Sequence, residues 1–231
     1  MNTTMAPVIT VDGPSGSGKG TLARWLSRQL GWSLLDSGAL YRIVAILAQR
    51  EGAQPDSDSD IQRMADRARS MRVEFLANDA DDETILLEGA DVTAEVREEA
   101  TGGMASAWAP HPAIRQALLE FQHACRRLPG LVADGRDMGT VVFPDAPLKL
   151  YVTASAEERA RRRVGQLREI GVEATIDRIC SEIEARDHRD MNREVAPLRP
   201  AEDALIIDTT EMGIDEVRAK VLDLAAQFQR Q

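Results

Sequence analysis

The residue types with the clearest chemical use lie near the start of the chain, in Gly13-Pro14-Ser15-Gly16-Ser17-Gly18-Lys19-Gly20-Thr21. Small residues let consecutive backbone N–H groups turn inward around phosphate oxygens, and a helix opening at the end of such a loop adds the positive end of its dipole. The spacing from Gly13 to Gly18-Lys19 fits a phosphate-binding loop, with Lys19 able to reach terminal phosphates. One position departs from the pattern: Gly20 stands where a magnesium-binding hydroxyl is expected, and Thr21 comes one residue late. Two other readings compete. A dinucleotide-binding turn would use Gly16 and Gly18, with Asp36 as a ribose-binding acid, but Thr21 then replaces the third glycine and Lys19 has no task. A glycine-rich turn of purely structural use leaves Lys19 equally unexplained.

A phosphate loop alone supports hydrolysis, transfer or switching, so other residues must decide. Asp36-Ser37-Gly38-Ala39-Leu40-Tyr41-Arg42 places a hydroxyl at a helix start, with an aromatic ring and an arginine one turn on. These could hold a second phosphorylated ligand; a helix cap beside a solvated arginine is the alternative. Asp134-Gly135-Arg136-Asp137 ends a strand in an acid, where it could position hydrated magnesium, and then offers an arginine to neutralise transferred phosphate. Arg159, Arg161, Arg162 and Arg163, then Arg186-Asp187-His188-Arg189-Asp190 with Arg193, form two arginine-rich helices. They read as a lid over an anionic ligand, although helical ion pairing accounts for some of them. Lys19, Arg136, Arg159 and Arg163 are the expected catalytic cations.

Other chemistries find little support. His123 and Cys125 are two apart and do not share a helix face. The three histidines are scattered, and the two cysteines, Cys125 and Cys180, allow at most one bridge and no structural zinc site. Asp56-Ser57-Asp58-Ser59-Asp60 spaces oxygens as a calcium loop would, but Ile61 and Arg67 stand where that loop needs glycine and glutamate. It reads as a solvated turn and helix cap, and no protein-held metal site is expected.

These groups need a scaffold that converges on them. Apolar runs at Val8–Val11, Ser33–Leu35, Leu131–Ala133, Leu148–Val152 and Ala204–Ile207 read as buried parallel strands. Helices are predicted over Thr21–Leu30, Ala39–Arg50, Ile61–Ser70, Glu95–Trp108, Pro112–Leu128, Ala156–Ile170, Thr175–Arg193 and Asp215–Gln229. Pro112 suits a first helical position, Gly31 and Gly171 follow their helices, and Ser155 with Glu158 forms a capping box. Arg72–Leu76 and Thr84–Glu88, around Asn78-Asp79-Ala80-Asp81-Asp82, read as a hairpin inserted in this α/β order.

The chain of 231 residues has 38 acidic and 28 basic side chains, a net charge of −10. An acidic chain argues against nucleic acid as a main partner, because duplex binding needs a basic face. Apart from Lys19, Lys149 and Lys220 every basic residue is arginine, a bias that genomic base composition could also produce. No stretch approaches the roughly 18 apolar residues of a membrane span. The N-terminus has neither the basic start nor the long apolar run of a signal peptide, so a cytoplasmic location is expected.

With these residues in view, the sequence resembles the bacterial cytidylate kinase family over essentially its whole length. The resemblance is carried by Ala6–Gly13, Leu34-Leu35-Asp36-Ser37-Gly38, Ala133–Pro147, and Arg186-Asp187 through Arg193-Glu194-Val195-Ala196-Pro197-Leu198; Gly-Lys-Gly-Thr is a loop ending known among nucleoside monophosphate kinases. It implies one α/β P-loop kinase domain with a five-stranded parallel sheet, an arginine-rich lid and a small antiparallel insertion. Its core would span about 1–40, 105–155 and 200–231, its monophosphate-binding region about 41–104, and its lid and sugar-binding helices about 156–199. It further implies transfer of the γ-phosphoryl group of ATP, carried with Mg2+, to CMP or dCMP. Ser106, Arg115 and Asp137 would read the cytosine edge with Arg193 nearby, and Arg186 and Asp190 would contact the sugar. Ser15, Ser37, Tyr41, Arg42 and Arg136 would surround the acceptor phosphate. A monomer is expected, without membrane or nucleic-acid partners. A kinase for UMP or AMP, and an ATP-sensing module without transfer, are the alternatives.

Overall fold

The computed structural model describes residues 5–77, 83–169 and 171–229. From the N-terminus the chain forms β1 (Val8–Asp12), α1 (Lys19–Leu30), β2 (Ser33–Asp36), α2 (Ser37–Glu51), α3 (Asp58–Ser70), β3 (Val73–Ala77), β4 (Glu83–Leu87) and β5 (Ala90–Asp91). It continues through α4 (Thr93–Arg97), α5 (Glu99–Trp108), α6 (Pro112–Ala124), β6 (Leu131–Gly135), a turn of π-helix (Met138–Val142) and β7 (Leu148–Thr153). Then come α7 (Ala156–Glu169), α8 (Ile176–Asn192), β8 (Leu205–Asp208) and α9 (Ile214–Gln229). The chain divides into two compact units, one of the residues up to Asp36 with those from His123 onward, the other Ser37–Gln122.

In the first unit five parallel strands lie in the order β2-β6-β1-β7-β8. All five residues of β1 are buried, as expected of a strand covered on both faces. Ile9, Val11, Val132, Leu150, Val152 and Ile207 pack with Leu22, Ala23 and Leu26 of α1 and with Val217, Val221 and Ala225 of α9. Each such large side chain contributes about 1.5–3 kcal/mol on burial. The register sets Asp12 opposite Gly135 and Asp36 opposite Asp134, so the strand ends deliver three acids to one edge of the sheet. Helices α7 and α8 share a small apolar seam of Ala160, Val164 and Ile179.

The second unit holds α2 to α5, most of α6 and an antiparallel sheet in the order β3-β4-β5. The expected hairpin is its β3 and β4, and the turn proposed at Asn78–Asp82 lies outside the described residues, as does Ile170 after α7. The short β5 was not expected. It follows a tight turn in which Glu88 and Gly89 both take positive φ, 52° and 83°, the conformation that joins twisted strands.

Most helices match expectation within a few residues, and two differ for physical reasons. The single helix expected over Glu95–Trp108 is broken at Glu98, which is extended. There Arg42 Nη1 donates to the carbonyls of Val96 (2.8 Å) and Glu98 (2.7 Å), a partner that periodicity cannot reveal. The helix expected to reach Leu128 stops at Ala124, where the Arg126 N–H donates to the His123 carbonyl (3.1 Å) in a tighter closing turn. Arg126 then bonds the Ala6 carbonyl (2.7 Å) and Asp145 (2.7 Å). Among the described residues, no helix is long and apolar enough to cross a membrane.

Candidate active site

The loop between β1 and α1 depends on its glycines. Gly16 and Gly18 have φ of 78° and 88°, and Gly13 has 151°, conformations that side chains resist. A Cβ on Gly13 would also collide with the Val152 carbonyl, and one on Gly20 would lie 3.1 Å from Asp134 Oδ2. The second contact falls at the position that departs from the loop pattern: where a phosphate loop has a hydroxyl residue, this chain has a glycine beside the Asp134 carboxylate. Ser17 Oγ is buried within the loop and has no hydrogen-bond partner.

Lys19 opens α1, with Nζ 3.8 Å from Asp134 Oδ1. Burial pushes the Lys19 ammonium down, against the pull of Asp134; Arg136 and Arg186 add to the lowering, and Asp36 opposes it. Burial likewise pushes the Asp134 carboxyl up to about 6, against Lys19. Asp134 Oδ1 has no hydrogen-bond partner. An orphaned carboxylate oxygen beside a lysine, at the mouth of a phosphate loop, suits a hydrated divalent cation, whose preferred ligands are oxygens.

Asp12, directly before the loop, accepts the N–H groups of Met138 and Gly139, each at 2.8 Å. Burial pushes its carboxyl up to about 7, although both hydrogen bonds oppose the rise. Through these bonds Asp12 fixes the chain that follows Arg136 and the buried Asp137. Arg136 in turn bonds Asp190 of α8. Burial would raise the Asp190 carboxyl, but Arg136, Arg186 and Arg193 outweigh it and hold it below the usual range. The first unit thus brings together Lys19, Asp134, Arg136, Arg186, Asp190 and Arg193.

The arginines of α7 divide by use. Arg161 pairs at the surface with Glu157 and Glu158. Arg162 donates to the Thr209 carbonyl (2.7 Å) and hydroxyl (3.1 Å) and to Glu158 (3.0 Å). Arg163 donates to Gln166 at 3.3 Å. Arg159, expected on phosphate, spends its donors on protein: Nε on the Ala154 carbonyl (3.0 Å), Nη1 on the Ser15 carbonyl (3.0 Å) and Nη2 on Asp187 (2.5 Å).

A cleft of about 510 Å³ runs from Gly16–Thr21 past Arg162 to Thr209, Met212 and Arg218, a volume suited to a small ligand. Thr209, Met212 and Arg218 were missed in the sequence. Thr209 directly follows β8, so the convergence of strand ends on a ligand crevice was the available signal.

In the second unit Ser37 begins α2 and is buried. Tyr41 accepts a hydrogen bond from Arg115 at 3.1 Å. Arg42 and Ser106 meet at Gly102: a Cβ there would lie 2.5 Å from Arg42 Nη2, and Ser106 Oγ donates to its carbonyl at 3.1 Å. A side chain at Gly102 would thus displace the Arg42 guanidinium, whereas nothing in the structure explains Gly103.

The model of the family described as "Cytidylate kinase" matches residues 9–227. A cytidylate kinase of Shewanella baltica (strain OS155) is 53% identical over 223 residues, 96% of each chain. One of Shewanella amazonensis is 53% identical over 216 residues, 93% of this chain and 92% of its own. Among solved structures, an uncharacterized protein from Eubacterium ventriosum covers 96% of this chain and 98% of its own with a TM-score of 0.51 and 11% identity, a likeness of fold alone. A match over almost the full length, at such identity and with the loop and its acid in place, has one consequence: the chain belongs to the cytidylate kinase family.

Proposed function

We propose that the chain, a kinase that phosphorylates CMP with ATP, performs in-line transfer on CMP and dCMP around the Lys19–Asp134 pair. An oxygen of the acceptor 5′-phosphate attacks the γ-phosphorus of ATP. The bond from that phosphorus to the β,γ-bridging oxygen breaks, and its electron pair leaves on ADP. The acceptor is already an anion, so no strong general base is needed, and catalysis rests on positioning and charge. The loop amides and Lys19 hold the donor phosphates. Magnesium, which neutralises phosphate charge when bound, would be held with its waters by Asp134.

We assign Arg136 and Arg163 to the transferring group. Ser15, Ser37, Tyr41 and Arg42 are assigned to the acceptor phosphate, and Arg186 and Asp190 to its sugar. Cytosine recognition is assigned to Ser106, Arg115 and Asp137, with Arg193. An acid that accepts from the cytosine amine discriminates because uracil presents an acceptor there and leaves buried groups unpaired. The α7–α8 pair acts as a lid that excludes water from the transfer.

The observation that carries this mechanism is Asp134 set against both Lys19 and Gly20, with an oxygen to spare. The test is magnesium-dependent ADP release from ATP across CMP, dCMP, UMP, AMP and GMP, with a no-acceptor control. Release with CMP and dCMP alone is expected. Equal release with UMP would overturn the assignment of base recognition, and acceptor-independent release would overturn transfer as the reaction.

A further inference from the structure

Arg159 is 4% exposed, and its three bonds reach three separate pieces of chain. Its Nε bond to Ala154 fixes it to the end of β7, and its Nη2 pairs with the buried Asp187 of α8. Its Nη1 takes the carbonyl of Ser15, in the middle of the phosphate loop. The side-chain stem also underlies the loop: a Cβ added to Gly16 would lie 3.4 Å from Arg159 Cβ and 3.9 Å from its Cδ. Only a planar fork with several fixed donors spans such a set; an ammonium does not.

The Ser15 carbonyl and the Gly16 N–H belong to one peptide plane, and in a trans peptide they point in opposite directions. Holding the carbonyl on the arginine therefore turns the Gly16 N–H away from it. A loop that binds phosphate through its amides gains affinity when such orientations are set before the ligand arrives.

We propose that Arg159 is a positioning residue for the phosphate loop, locking the Ser15–Gly16 peptide so that its N–H is presented to ATP phosphate, and that Asp187 holds Arg159 in place for this. Asp187, on a different helix from Arg159, thereby sets nucleotide affinity from outside the loop. The α7–α8 pair packs through its own apolar seam, so the tether also links the placement of that pair to the shape of the loop. The proposal rests on reading the loop as the ATP-phosphate site and on no assignment of the acceptor.

The test is calorimetric titration of ATP, with magnesium and without acceptor, into Arg159→Lys, Asp187→Asn and the double variant, beside steady-state kinetics with CMP. Arg159→Lys keeps a cation against Asp187, which guards the fold. Its ATP dissociation constant is expected to rise roughly 10- to 100-fold, the scale of a small misplacement of binding groups. The KM for CMP should stay near that of the wild type. Asp187→Asn should weaken ATP in the same direction, and the double variant should be no weaker than Arg159→Lys, because both changes cut one tether. Unchanged ATP affinity with a lowered kcat in Arg159→Lys would overturn the proposal in favour of direct contact with the transferring group. Additive losses would separate Asp187 from Arg159, and lower melting temperatures with unchanged affinity would leave only a structural role; either overturns it. A wild type that binds ATP but transfers nothing to CMP would sink the function proposed above while leaving this measurement readable.

Discussion

Lys19 and Arg159 serve the same loop and are used in opposite ways. Lys19 is largely but not fully enclosed, its side chain 13% exposed, yet its nearest carboxylate oxygen is 3.8 Å away and itself lacks a hydrogen bond. Arg159 is buried, but three of its donors are matched by two carbonyls and a carboxylate at 2.5–3.0 Å. A buried charge is costly unless it is paired and hydrogen-bonded. The matched arginine therefore reads as framework, and the loosely matched lysine and aspartate as groups held ready for phosphate and its counter-ion. Loop spacing placed Lys19 at phosphate and residue type placed Arg159 there; their hydrogen bonds in the structure differ.

The sharpest way to break this contrast is Lys19→Ala. Loss of a preorganised charge at the transferring group should lower turnover with CMP about 100- to 1000-fold, with the far-ultraviolet circular dichroism of the wild type. Near-normal turnover would remove Lys19 from the active set. Asp134→Asn should come next, raising the half-saturating magnesium concentration about tenfold or more, on the scale of losing a ligand contact. In the wild type that concentration should rise as pH falls through about 6, where Asp134 takes up a proton. In Asp134→Asn this pH dependence should shrink to what protonation of the substrate phosphates contributes. A magnesium titration of ADP release at several pH values reads both effects.

The features legible in the sequence are those whose causes are local. The loop is legible because positive φ at Gly16 and Gly18 requires glycine and the lysine follows at fixed spacing. The strands are legible because both faces of β1, β6 and β7 are covered, which leaves apolar runs. What was missed is caused by partners far along the chain. The break between α4 and α5 is satisfied by Arg42, more than fifty residues away. The same arginine lies against Gly102, where a Cβ would come within 2.5 Å of its Nη2, a contact with no local signal. The position of Gly20 was noticed as a departure, but the carboxylate beside it, Asp134, comes from β6. Arg159 was expected on phosphate because a guanidinium fork suits phosphate; the same fork suits a carbonyl and a carboxylate, and three of its donors meet such partners here.

Asp12 sharpens the comparison at a smaller scale, since it is a buried acid with its hydrogen bonds made. Its carboxyl titrates near 7 in the fold, against an ordinary value of 3.8. Below about pH 4 the folded and unfolded chains both carry the proton. Between about pH 4 and 7 the unfolded chain has released it while the fold retains it, so stability falls as pH rises through this window and levels off above it. The full effect is on the order of 4 kcal/mol. Asp134 acts in the same direction over the lower part of the window. Denaturant unfolding of Asp12→Asn across pH 4 to 8 should show a clearly shallower decline than the wild type, whatever its absolute stability. An unchanged slope would mean that Asp12 is ionised in the fold throughout, with its two N–H donors outweighing burial.

The smallest effect is expected two residues from the tether. Arg161 shares α7 with Arg159 and also meets carboxylates at short distance, 2.5 Å to Glu157 and 3.0 Å to Glu158. By distance alone its pairs rival that of Arg159 with Asp187. They differ in surroundings: Arg161 and Glu157 are more than half exposed, at 53% and 67%, and water and salt screen such pairs to little net value. Arg161→Ala should therefore leave melting temperature, ATP affinity and turnover within experimental scatter of the wild type, at low and at moderate salt. If Arg161→Ala weakened ATP as Arg159→Lys is expected to, positive charge on α7 as a whole would be acting on the nucleotide, and the three specific bonds of Arg159 would not be the cause. Measured side by side, the two variants ask whether α7 contributes a field or a fitted contact, and the burial of Arg159 argues for the contact.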